Sequence, residues 1–368
     1  MIVCIAVTAL LKHDAIGNDV CHQCVVLNDH HIPAVVYAGE VGDVPITAYC
    51  IDQAECRAII DHPDNLLIYH HGGCWAEGRR LLEKARCRVF VKYHNVTPPE
   101  FFSSYSAVYE RFCSEGVAQT RLIAGMDHIT KFLCASSFNA GDLLRLNVSP
   151  AKIEISPPFN KLNDFNRAEI DPVLSRELQD GKVNILFVGR VAPNKGHKEM
   201  IRVAAEYAAT YGAAIRFNMV GGIDPELAGY RNELDRLIDA HSLKEIVTLT
   251  GAVSFDRLHT YYRYSHLFLL MSAHEGFCLP AIEAQFHRLP VVALDSSAIP
   301  ETLGPNQLVF ETPDPLKFAA AIHVLSHHDA YRAYLADEGR KNLRRFLTPG
   351  MEAAFFNALG LTALISNT

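Results

Sequence analysis

His274–Pro290 reads HEGFCLPAIEAQFHRLP, and this stretch decides the fold of the second half of the chain. The apolar run that precedes it, Leu267–Met271, has the composition of a buried strand. Pro280 suits the first position of a helix, because its missing N–H needs no partner there. The stretch therefore predicts a strand, a short loop and a helix that begins at Pro280.

The start of this predicted helix is suited to binding phosphate. Backbone N–H groups in the first turn of a helix have no acceptor within the helix, and the helix dipole adds partial positive charge, so that helix N-termini bind phosphate. A glycine at this point allows a ligand to approach the backbone closely. The predicted donors are the amides of Gly276, Phe277, Cys278 and Leu279.

Two carboxylates bracket the same stretch. Glu275 lies in the predicted loop, and Glu283 lies about one turn into the predicted helix. Both side chains can point into one cleft, where carboxylates accept hydrogen bonds from the hydroxyl groups of a ligand. The alternative is a capped helix that binds no phosphate and carries one solvated glutamate.

Residues 185–196, ILFVGRVAPNKG, predict a second phosphate-binding loop. Arg190 and Lys195 flank a turn that directly follows an apolar strand. Arginine offers phosphate oxygens a rigid fork of donors and lysine offers a compact charge, so the two together suit a diphosphate. The alternative is a pair of solvated surface charges, which is the usual state of lysine and arginine.

These two motifs together are similar to those of a known family. Residues 185–196 resemble the donor-phosphate loop of glycosyltransferase family 4, the retaining nucleotide-sugar transferases of GT-B fold. The resemblance covers Val183–Thr302 and implies an α/β protein whose two Rossmann-like domains face each other across a cleft. The residues that resemble the family's E-x-seven-E signature are Glu275, Gly276, Phe277, Pro280 and Glu283.

Length and composition limit the function. A chain of 368 residues, 49% of them hydrophobic, is long enough for two domains. Its net charge of −7 argues against a nucleic-acid-binding protein, which would be basic. Ten cysteines without paired spacing indicate free thiols in a reducing cytosol. Met1–Leu11 predicts a first strand rather than a signal peptide, and no apolar run reaches the ~18 residues of a membrane span.

Both halves alternate predicted strands with helices, which indicates parallel sheets covered on both faces. The Pro- and Asn-rich stretch Ser156–Asn166 is the predicted connection. We therefore expect an acceptor domain over residues 1–160 and a nucleotide-sugar donor domain over 161–350, with a C-terminal helix in 351–368 that packs back on the first domain.

In parallel sheets, ligands bind beyond the carboxyl ends of the strands. His94 follows the predicted strand Val89–Val91 and resembles the histidine that many family members place beside the transferred sugar. His70 and His71 hold a similar position after another strand, but a structural histidine that satisfies loop carbonyls is the alternative for both. We expect His94 to act on the sugar.

Other predicted contacts come from glycines and turns. Gly17, in a predicted loop over Leu10–Asn18, resembles the family's close-approach glycine, although the fuller glycine-rich form is absent. Gly221 ends a predicted strand where a ligand can come close. Val253, in the turn TGAVS, matches the position whose backbone holds the nucleobase in the family; an ordinary turn is the alternative.

Two sequence motifs are absent from the chain, and each absence argues against one kind of enzyme. The chain has no G-x-G-x-x-G, which disfavours a nicotinamide-dependent oxidoreductase. It has no D-x-D, a motif with which transferases of the other major fold commonly hold a divalent cation. Fixed cations and helix amides can neutralise the diphosphate instead, so we expect no metal and no cofactor.

The resulting prediction is a retaining glycosyltransferase that moves a hexose, with mannose from GDP-mannose as first choice. The acceptor is a glycan or a lipid-linked glycan in polysaccharide or O-antigen biosynthesis. Arg190, Lys195 and the helix amides stabilise the leaving diphosphate, while Glu275 binds sugar hydroxyls and Glu283 the ribose. A nucleotide-sugar hydrolase or epimerase, or a catalytically silent binding protein, are the alternatives.

A basic stretch predicts peripheral membrane contact, at the inner face of the cell membrane of an otherwise cytoplasmic protein. A solvated helix face is the alternative. Within residues 73–92, basic side chains outnumber the two acidic ones, Glu77 and Glu83. The basic residues are Arg79, Arg80, Lys84, Arg86, Arg88 and Lys92.

Overall fold

Two six-stranded sheets organise the chain, and every strand pairing in them is parallel. The computed structural model describes residues 1–11, 14–44 and 50–365. The first unit contains Met1–Pro99, Glu110–Asn160 and Arg345–Thr368, and the second contains Glu100–Tyr109 and Lys161–Arg344. The chain therefore passes between the units more than once.

The first sheet has the strand order β2-β1-β3-β4-β5-β6. All six residues of β3 are buried, as expected for a parallel sheet with helices on both faces. The strands are β1 Val3–Leu10, β2 Ala34–Val41, β3 Leu66–His71, β4 Arg88–Tyr93, β5 Ile129–Cys134 and β6 Ile153–Ile155. The helices are α1 Ala15–Asp29, α2 Gln53–Ile60, α3 Ala76–Lys84, α4 Ala107–Ala124, of which the first three residues belong to the second unit, and α5 Ser137–Arg145.

The second sheet has the order β12-β11-β10-β7-β8-β9. Its strands are β7 Val183–Val188, β8 Ile215–Val220, β9 Val247–Gly251, β10 Leu267–Leu270, β11 Val291–Leu294 and β12 Leu308–Phe310. Its helices are α6 Pro172–Glu177, α7 His197–Tyr211, α8 Ala228–Ala240, α9 Phe255–Tyr264, α10 Leu279–Phe286, α11 Ile299–Leu303, α12 Pro315–His327 and α13 Asp329–Leu343.

Two further helices, α14 Thr348–Leu359 and α15 Thr362–Ile365, return to the first unit. The sequence predicted an apolar-rich helix over 351–365, but the helix is broken at Gly360, which has a φ of 68°. The N–H of Leu361 donates to the carbonyl of Phe356 at 2.8 Å, which is a glycine-type helix end.

Each sheet reverses its strand order once. The reversal lies between β1 and β3 in the first sheet and between β7 and β10 in the second. Ligands of open α/β sheets bind at such points, beyond the carboxyl ends of the two strands. The polar groups that follow β1, β3 and β4, and those that follow β7 and β10, are therefore the places to look for function.

The predicted α/β class with two Rossmann-like units is confirmed, and two helix starts are corrected. Residues 15–18 are the first turn of α1 rather than a loop, because the Asp14 side chain caps the helix by accepting from the Gly17 N–H at 3.0 Å. Helix α10 begins at Leu279, so Pro280 holds its second position, where its missing N–H is equally harmless.

Candidate functional site

Glycine packing fixes the loop that follows β7. A side chain at Gly221 would lie 1.9 Å from the carbonyl oxygen of Gly189, so only glycine allows these two backbones to approach. The N–H of Val191 donates to the carbonyl of Gly222 at 2.9 Å and extends the contact. Arg190 lies between these anchors with its side chain exposed. It forms no ion pair with any residue that the structure describes, and its guanidinium interacts with the Tyr109 hydroxyl, where it opposes the rise in the pKa of that group.

A second glycine joins this loop to the one after β10. Gly196 begins α7 with a φ of 74°, and a Cβ there would lie 2.0 Å from the carbonyl oxygen of Met271. The side-chain amide of Asn194 donates to the carbonyl of His274 at 3.2 Å. The backbone carbonyl of Asn194 accepts from the N–H of Ala273 at 2.8 Å. The two predicted binding loops are thus held together where the strand order reverses.

Lys195 and Glu275 meet at this junction. The ammonium nitrogen of Lys195 lies 2.7 and 2.8 Å from the two carboxylate oxygens of Glu275. The side chains are 20% and 10% exposed, and the Glu275 N–H donates to Ser297 Oγ at 2.8 Å. Each of the two predicted binding groups therefore neutralises the other in this structure.

The residue before α10 has an unusual backbone conformation. Cys278 has a φ of 81° and a ψ of 72°, in the left-handed region that L residues avoid at a cost of about 1–3 kcal/mol. The carbonyl of the preceding Phe277 accepts a hydrogen bond from Thr302 Oγ1, which fixes the turn. Burial, together with the neighbouring Glu275, raises the pKa of the Cys278 thiol well above its usual range, so the thiol stays neutral. Such strain often marks a binding site.

Glu283 is held inside α10 by a tyrosine. The hydroxyl of Tyr262 donates to Glu283 Oε2 at 2.8 Å, and the Tyr262 ring stacks on His287 with 4.8 Å between centroids. Burial raises the pKa of Glu283, and Tyr262 and Lys161 oppose that shift. Oxygen Oε1 makes no hydrogen bond with the described residues, so it is the atom that a ligand hydroxyl can reach.

Two other predicted positions lie where helices begin. Val253 is half-buried in the turn before α9, where Ser254 Oγ caps the helix by accepting from the Arg257 N–H at 3.3 Å. Gly17 is buried in the first turn of α1, and a Cβ there would lie 2.8 Å from the carbonyl oxygen of Leu11. Its amide donates to Asp14, so the glycine serves local packing.

The first unit contains a buried polar cluster where its strand order reverses. His94 Nε2 lies 2.9 Å from His70 Nδ1, and His70 Nε2 lies 3.1 Å from Gln23 Oε1. Asp19 Oδ2 lies 3.9 Å from both His94 Nε2 and the ammonium nitrogen of Lys92. His94 was predicted from the sequence, whereas Asp19, Gln23 and Lys92 were not.

Burial sets the ionisation of this cluster. It lowers the pKa of His94 well below its usual range, and the neighbouring His70, Lys92 and His71 lower it further. It raises the pKa of the Asp19 carboxyl, while Lys92 and the N–H of Phe159 oppose that shift. Both cluster histidines, His70 and His94, are therefore neutral near pH 7.

One group of side chains has the spacing of metal ligands. Atoms of Asp19, His70 and His94 lie within 4.8 Å of one another. The ammonium of Lys92, however, already supplies a positive charge 3.9 Å from the same carboxylate oxygen, and it would repel a divalent cation. We therefore interpret the cluster as an ion pair joined to a hydrogen-bonded histidine pair.

The predicted basic surface on α3 is smaller than the sequence suggested. Lys92 is buried, and it donates to the carbonyls of Ser156 and Pro157 rather than facing solvent. Arg79 pairs with Glu83 one turn away. The exposed basic residues of the stretch are Arg80, Lys84, Arg86 and Arg88.

None of the helices within the described residues is long and apolar enough to cross a membrane.

The chain is similar to known proteins, and one family model matches within its second half. Residues 174–342 match the family model described as "Glycosyl transferases group 1". A phosphatidylinositol N-acetylglucosaminyltransferase of Arabidopsis thaliana is 29% identical over 195 residues, which are 53% of this chain and 41% of the plant protein. O-antigen chain mannosyltransferase B of Escherichia coli is 24% identical over 285 residues, 74% of this chain and 70% of that protein. The chain thus matches less than half the length of the plant relative.

The fold has solved counterparts. Anabaena Alr3699/HepE, in a crystal structure in complex with UDP, superposes with a TM-score of 0.75 at 14% identity over 98% of this chain and 100% of its own. Sucrose-phosphate synthase from Thermosynechococcus elongatus superposes with a TM-score of 0.72 at 14% identity, covering 100% of both chains. Such neighbours are GT-B glycosyltransferases, so the predicted GT-B fold is confirmed.

Proposed function

We propose that the chain is a group 1 glycosyltransferase of the family 4 type, which transfers a hexose with retention from a nucleotide-diphosphate sugar. The observation that carries this proposal is the junction of the loops after β7 and β10. Arg190, Lys195, Glu275 and the start of α10 belong to two neighbouring strand ends of one sheet. Cationic groups and helix amides fixed in this way stabilise a leaving diphosphate without reorganisation.

The Lys195–Glu275 ion pair has a role in donor binding. An incoming diphosphate offers the Lys195 ammonium more negative charge than one carboxylate does, so the lysine changes partner. Glu275 is then released to accept hydrogen bonds from sugar hydroxyls. Arg190, exposed and without an ion pair among the described residues, is ready to bind the same phosphates.

The remaining predicted contacts complete the donor site. Glu283 Oε1 accepts a hydrogen bond from the ribose, the amides of residues 276–279 face the phosphates, and the Val253 backbone meets the nucleobase. Gly221 stays a predicted nucleotide contact through its backbone, beside the loop that carries Arg190. In the first unit, His94 acts on the sugar, and Gly17 supports the start of α1 beside it.

Mannose from GDP-mannose is our first choice of donor, and a glycan or lipid-linked glycan is our choice of acceptor. The support is the likeness to an O-antigen mannosyltransferase across most of its length. N-acetylglucosaminyl transfer is a second candidate, supported by the likeness to the plant N-acetylglucosaminyltransferase. We place the reaction at the cytoplasmic face of a membrane.

One experiment separates these activities. The protein is incubated with GDP-mannose, UDP-glucose or UDP-N-acetylglucosamine, with and without lipid-linked glycan acceptors, and products are followed by NMR. Transfer that retains the anomeric configuration is the expected result. Release of free sugar without an acceptor would indicate a hydrolase, a changed sugar on an intact nucleotide an epimerase, and binding without turnover a silent protein.

A further inference from the structure

The buried cluster around His94 fixes more than the position of that side chain. Its members come from three elements of the first unit: Asp19 and Gln23 from successive turns of α1, His70 from the end of β3, and Lys92 and His94 from β4 and the loop after it. Asp19, Gln23 and His70 have no more than 1% of their surface exposed. Groups so enclosed have few alternative partners, so their hydrogen bonds have a defined direction.

The direction follows from the amide of Gln23. Its oxygen faces His70 Nε2 at 3.1 Å and can only accept, so His70 carries its proton on Nε2. The opposite orientation of the amide would turn its oxygen toward the carboxylate of Asp19. In the structure the amide nitrogen is on that side instead, beyond hydrogen-bond distance, where it lowers the pKa of Asp19. The cluster therefore selects one tautomer of His70.

The neutral His70 ring then has a lone pair on Nδ1. That atom lies 2.9 Å from His94 Nε2, which must donate the proton of this hydrogen bond. A neutral His94 with its proton on Nε2 has its own lone pair on Nδ1. The side chain of His94 is 8% exposed, more than that of Asp19, so it is the edge of the cluster that a ligand can reach.

The charged groups near His94 favour the same tautomer of that residue. Asp19 Oδ2 lies 3.9 Å from His94 Nε2, too far for a hydrogen bond, so its carboxylate favours a proton on that nitrogen through charge alone. Asp19 is itself held by the N–H of Phe159 at 2.9 Å and by the Lys92 ammonium, which in turn donates to Ser156 Oγ at 3.0 Å. Burial and the nearby His70, Lys92 and His71 keep the His94 pKa low, so the lone pair persists at neutral pH.

We propose that Gln23 and His70 are positioning residues that hold His94 with its proton on Nε2, so that Nδ1 accepts a hydrogen bond from a ligand hydroxyl group. The carboxylate of Asp19 favours the same arrangement by its charge, 3.9 Å from Nε2. That the hydroxyl belongs to a sugar or a glycan acceptor rests on the proposed function; the tautomer of His94 does not.

The test is NMR on the full chain with ¹⁵N-labelled histidine, with His94→Gln used for assignment. We expect His94 in the wild type to carry its proton on Nε2. Gln23→Met removes the acceptor, releases His70 and should shift His94 toward the opposite tautomer. The matched control is Gln119→Met, another buried glutamine, whose amide donates to the Tyr69 hydroxyl at 2.8 Å, and it should leave the His94 signals unchanged.

A rescue variant guards against simple misfolding. His70→Asn places an amide oxygen close to the former Nδ1, and this oxygen accepts from His94 without help from Gln23. The double variant Gln23→Met, His70→Asn should therefore recover the wild-type tautomer. A wild-type His94 with its proton on Nδ1, or a Gln23→Met protein with unchanged signals, overturns the proposal.

Kinetics separate this proposal from the proposed function. If the chain is a transferase, Gln23→Met should lower kcat ~10-fold while KM for the donor stays nearly constant, since only the orientation of one acceptor is lost. A protein with the predicted tautomer and no transferase activity refutes the proposed function alone. An active transferase with the wrong tautomer refutes the positioning role alone.

Discussion

Lys195 is the residue on which the donor site most depends. Replacing it with alanine removes a preorganised positive charge from the predicted diphosphate position and leaves Glu275 without its partner. We expect Lys195→Ala to lower the transfer rate by ~10²-fold or more, the scale seen when one such donor is lost. Steady-state kinetics with the best donor would measure it.

The control is Lys198→Ala, three residues further along the chain. Lys198 pairs with Glu233, and it is not one of the residues predicted to bind the phosphates. Unchanged transfer by Lys195→Ala, or an equal loss in both variants, would remove Lys195 from the site.

The expectation of metal-independent transfer also depends on particular residues. Because Lys92 already pairs with Asp19, the cluster of Asp19, His70 and His94 has no charge left for a divalent cation. We expect EDTA to leave both the transfer rate and the thermal midpoint unchanged, and added Zn²⁺ to leave the midpoint unchanged. A strict Mg²⁺ or Mn²⁺ requirement would contradict this interpretation.

Sequence reasoning singled out Lys195 and Glu275 because each follows a strand within a recognisable motif. The structure brings the two side chains together, while their roles stay predictions. Sequence reasoning missed Asp19, because the burial of an acidic residue on an amphipathic helix depends on what packs against it. One signal was present: Asp19 and Gln23 stand four residues apart, on the same face as the apolar Val20 and Leu27. Two polar side chains within a buried stripe indicate a shared buried partner.

At the scale of elements, Gly196 joins helix α7 to strand β10. Gly196→Ala adds a Cβ that would lie 2.0 Å from the Met271 carbonyl oxygen, in addition to the cost of a left-handed alanine. Gly360→Ala is the matched control, since Gly360 is also left-handed, with a φ of 68° and a ψ of 35°, and an added Cβ there would meet only the Arg88 side chain, at 3.8 Å. We expect the control to lose about 1–2 kcal/mol and Gly196→Ala to lose more, measured by denaturant unfolding.

Nucleotide binding gives a second measurement of the same pair. If α7 moves away from β10, Lys195 moves with it, and calorimetry should show weaker nucleotide binding by Gly196→Ala alone. Equal stability and equal binding in the two alanine variants would show that the close contact has no role in the site.

Helix α3, the loop after it and the first residue of β4 carry the remaining basic surface. Exposed Arg80, Lys84, Arg86 and Arg88 lie in one short stretch, and each charge near an anionic bilayer is worth ~1 kcal/mol. We expect salt-sensitive co-sedimentation with vesicles that contain anionic lipid, and its loss in the double variant Arg80→Glu, Lys84→Glu.

The matched control places the same charge change on α4, at the exposed Arg111 and Arg121. If wild-type protein ignores anionic vesicles at low salt, or if the two double variants behave alike, α3 is only a solvated face.

Apolar runs with clear ends predict strands at Ile215–Val220 and Val291–Leu294, and the structure has strands with these same bounds. The short edge strands β6 and β12 were not predicted. Each has three residues, which is too short to show the alternation of apolar and polar residues that identifies a strand. Helix α13 was also missed; its face toward the core includes Gly339 and Asn342, which do not read as apolar.

At the scale of the whole molecule, buried histidines make stability depend on pH. Burial lowers the pKa of His71 to about 4, of His197 to about 3 and of His287 to about 4, below the value of about 6.5 in an unfolded chain. Between those values the unfolded chain binds protons that the folded chain does not. Stability is therefore full above pH 6.5 and falls as the pH drops toward 4.

Each such histidine should cost about 2 kcal/mol of unfolding free energy at pH 5 relative to pH 7.5. Calorimetric scans at the two values should show a marked drop in the thermal midpoint, and His71→Gln should show a smaller drop than wild type. A midpoint that stays constant between pH 7.5 and pH 5 would contradict the burial of these neutral rings.

The division of the chain among the two units has a consequence for synthesis on the ribosome. The first unit needs residues 345–359, whose Phe355 and Phe356 contact Phe159 and His30. These residues emerge only after the whole second unit has been translated. The first unit therefore cannot finish folding before the second unit is made, as N-terminal domains usually do. The apolar surface around Phe159 and His30 stays uncovered until residues 345–359 have emerged. Expression of residues 1–160 alone should accordingly give an aggregation-prone fragment.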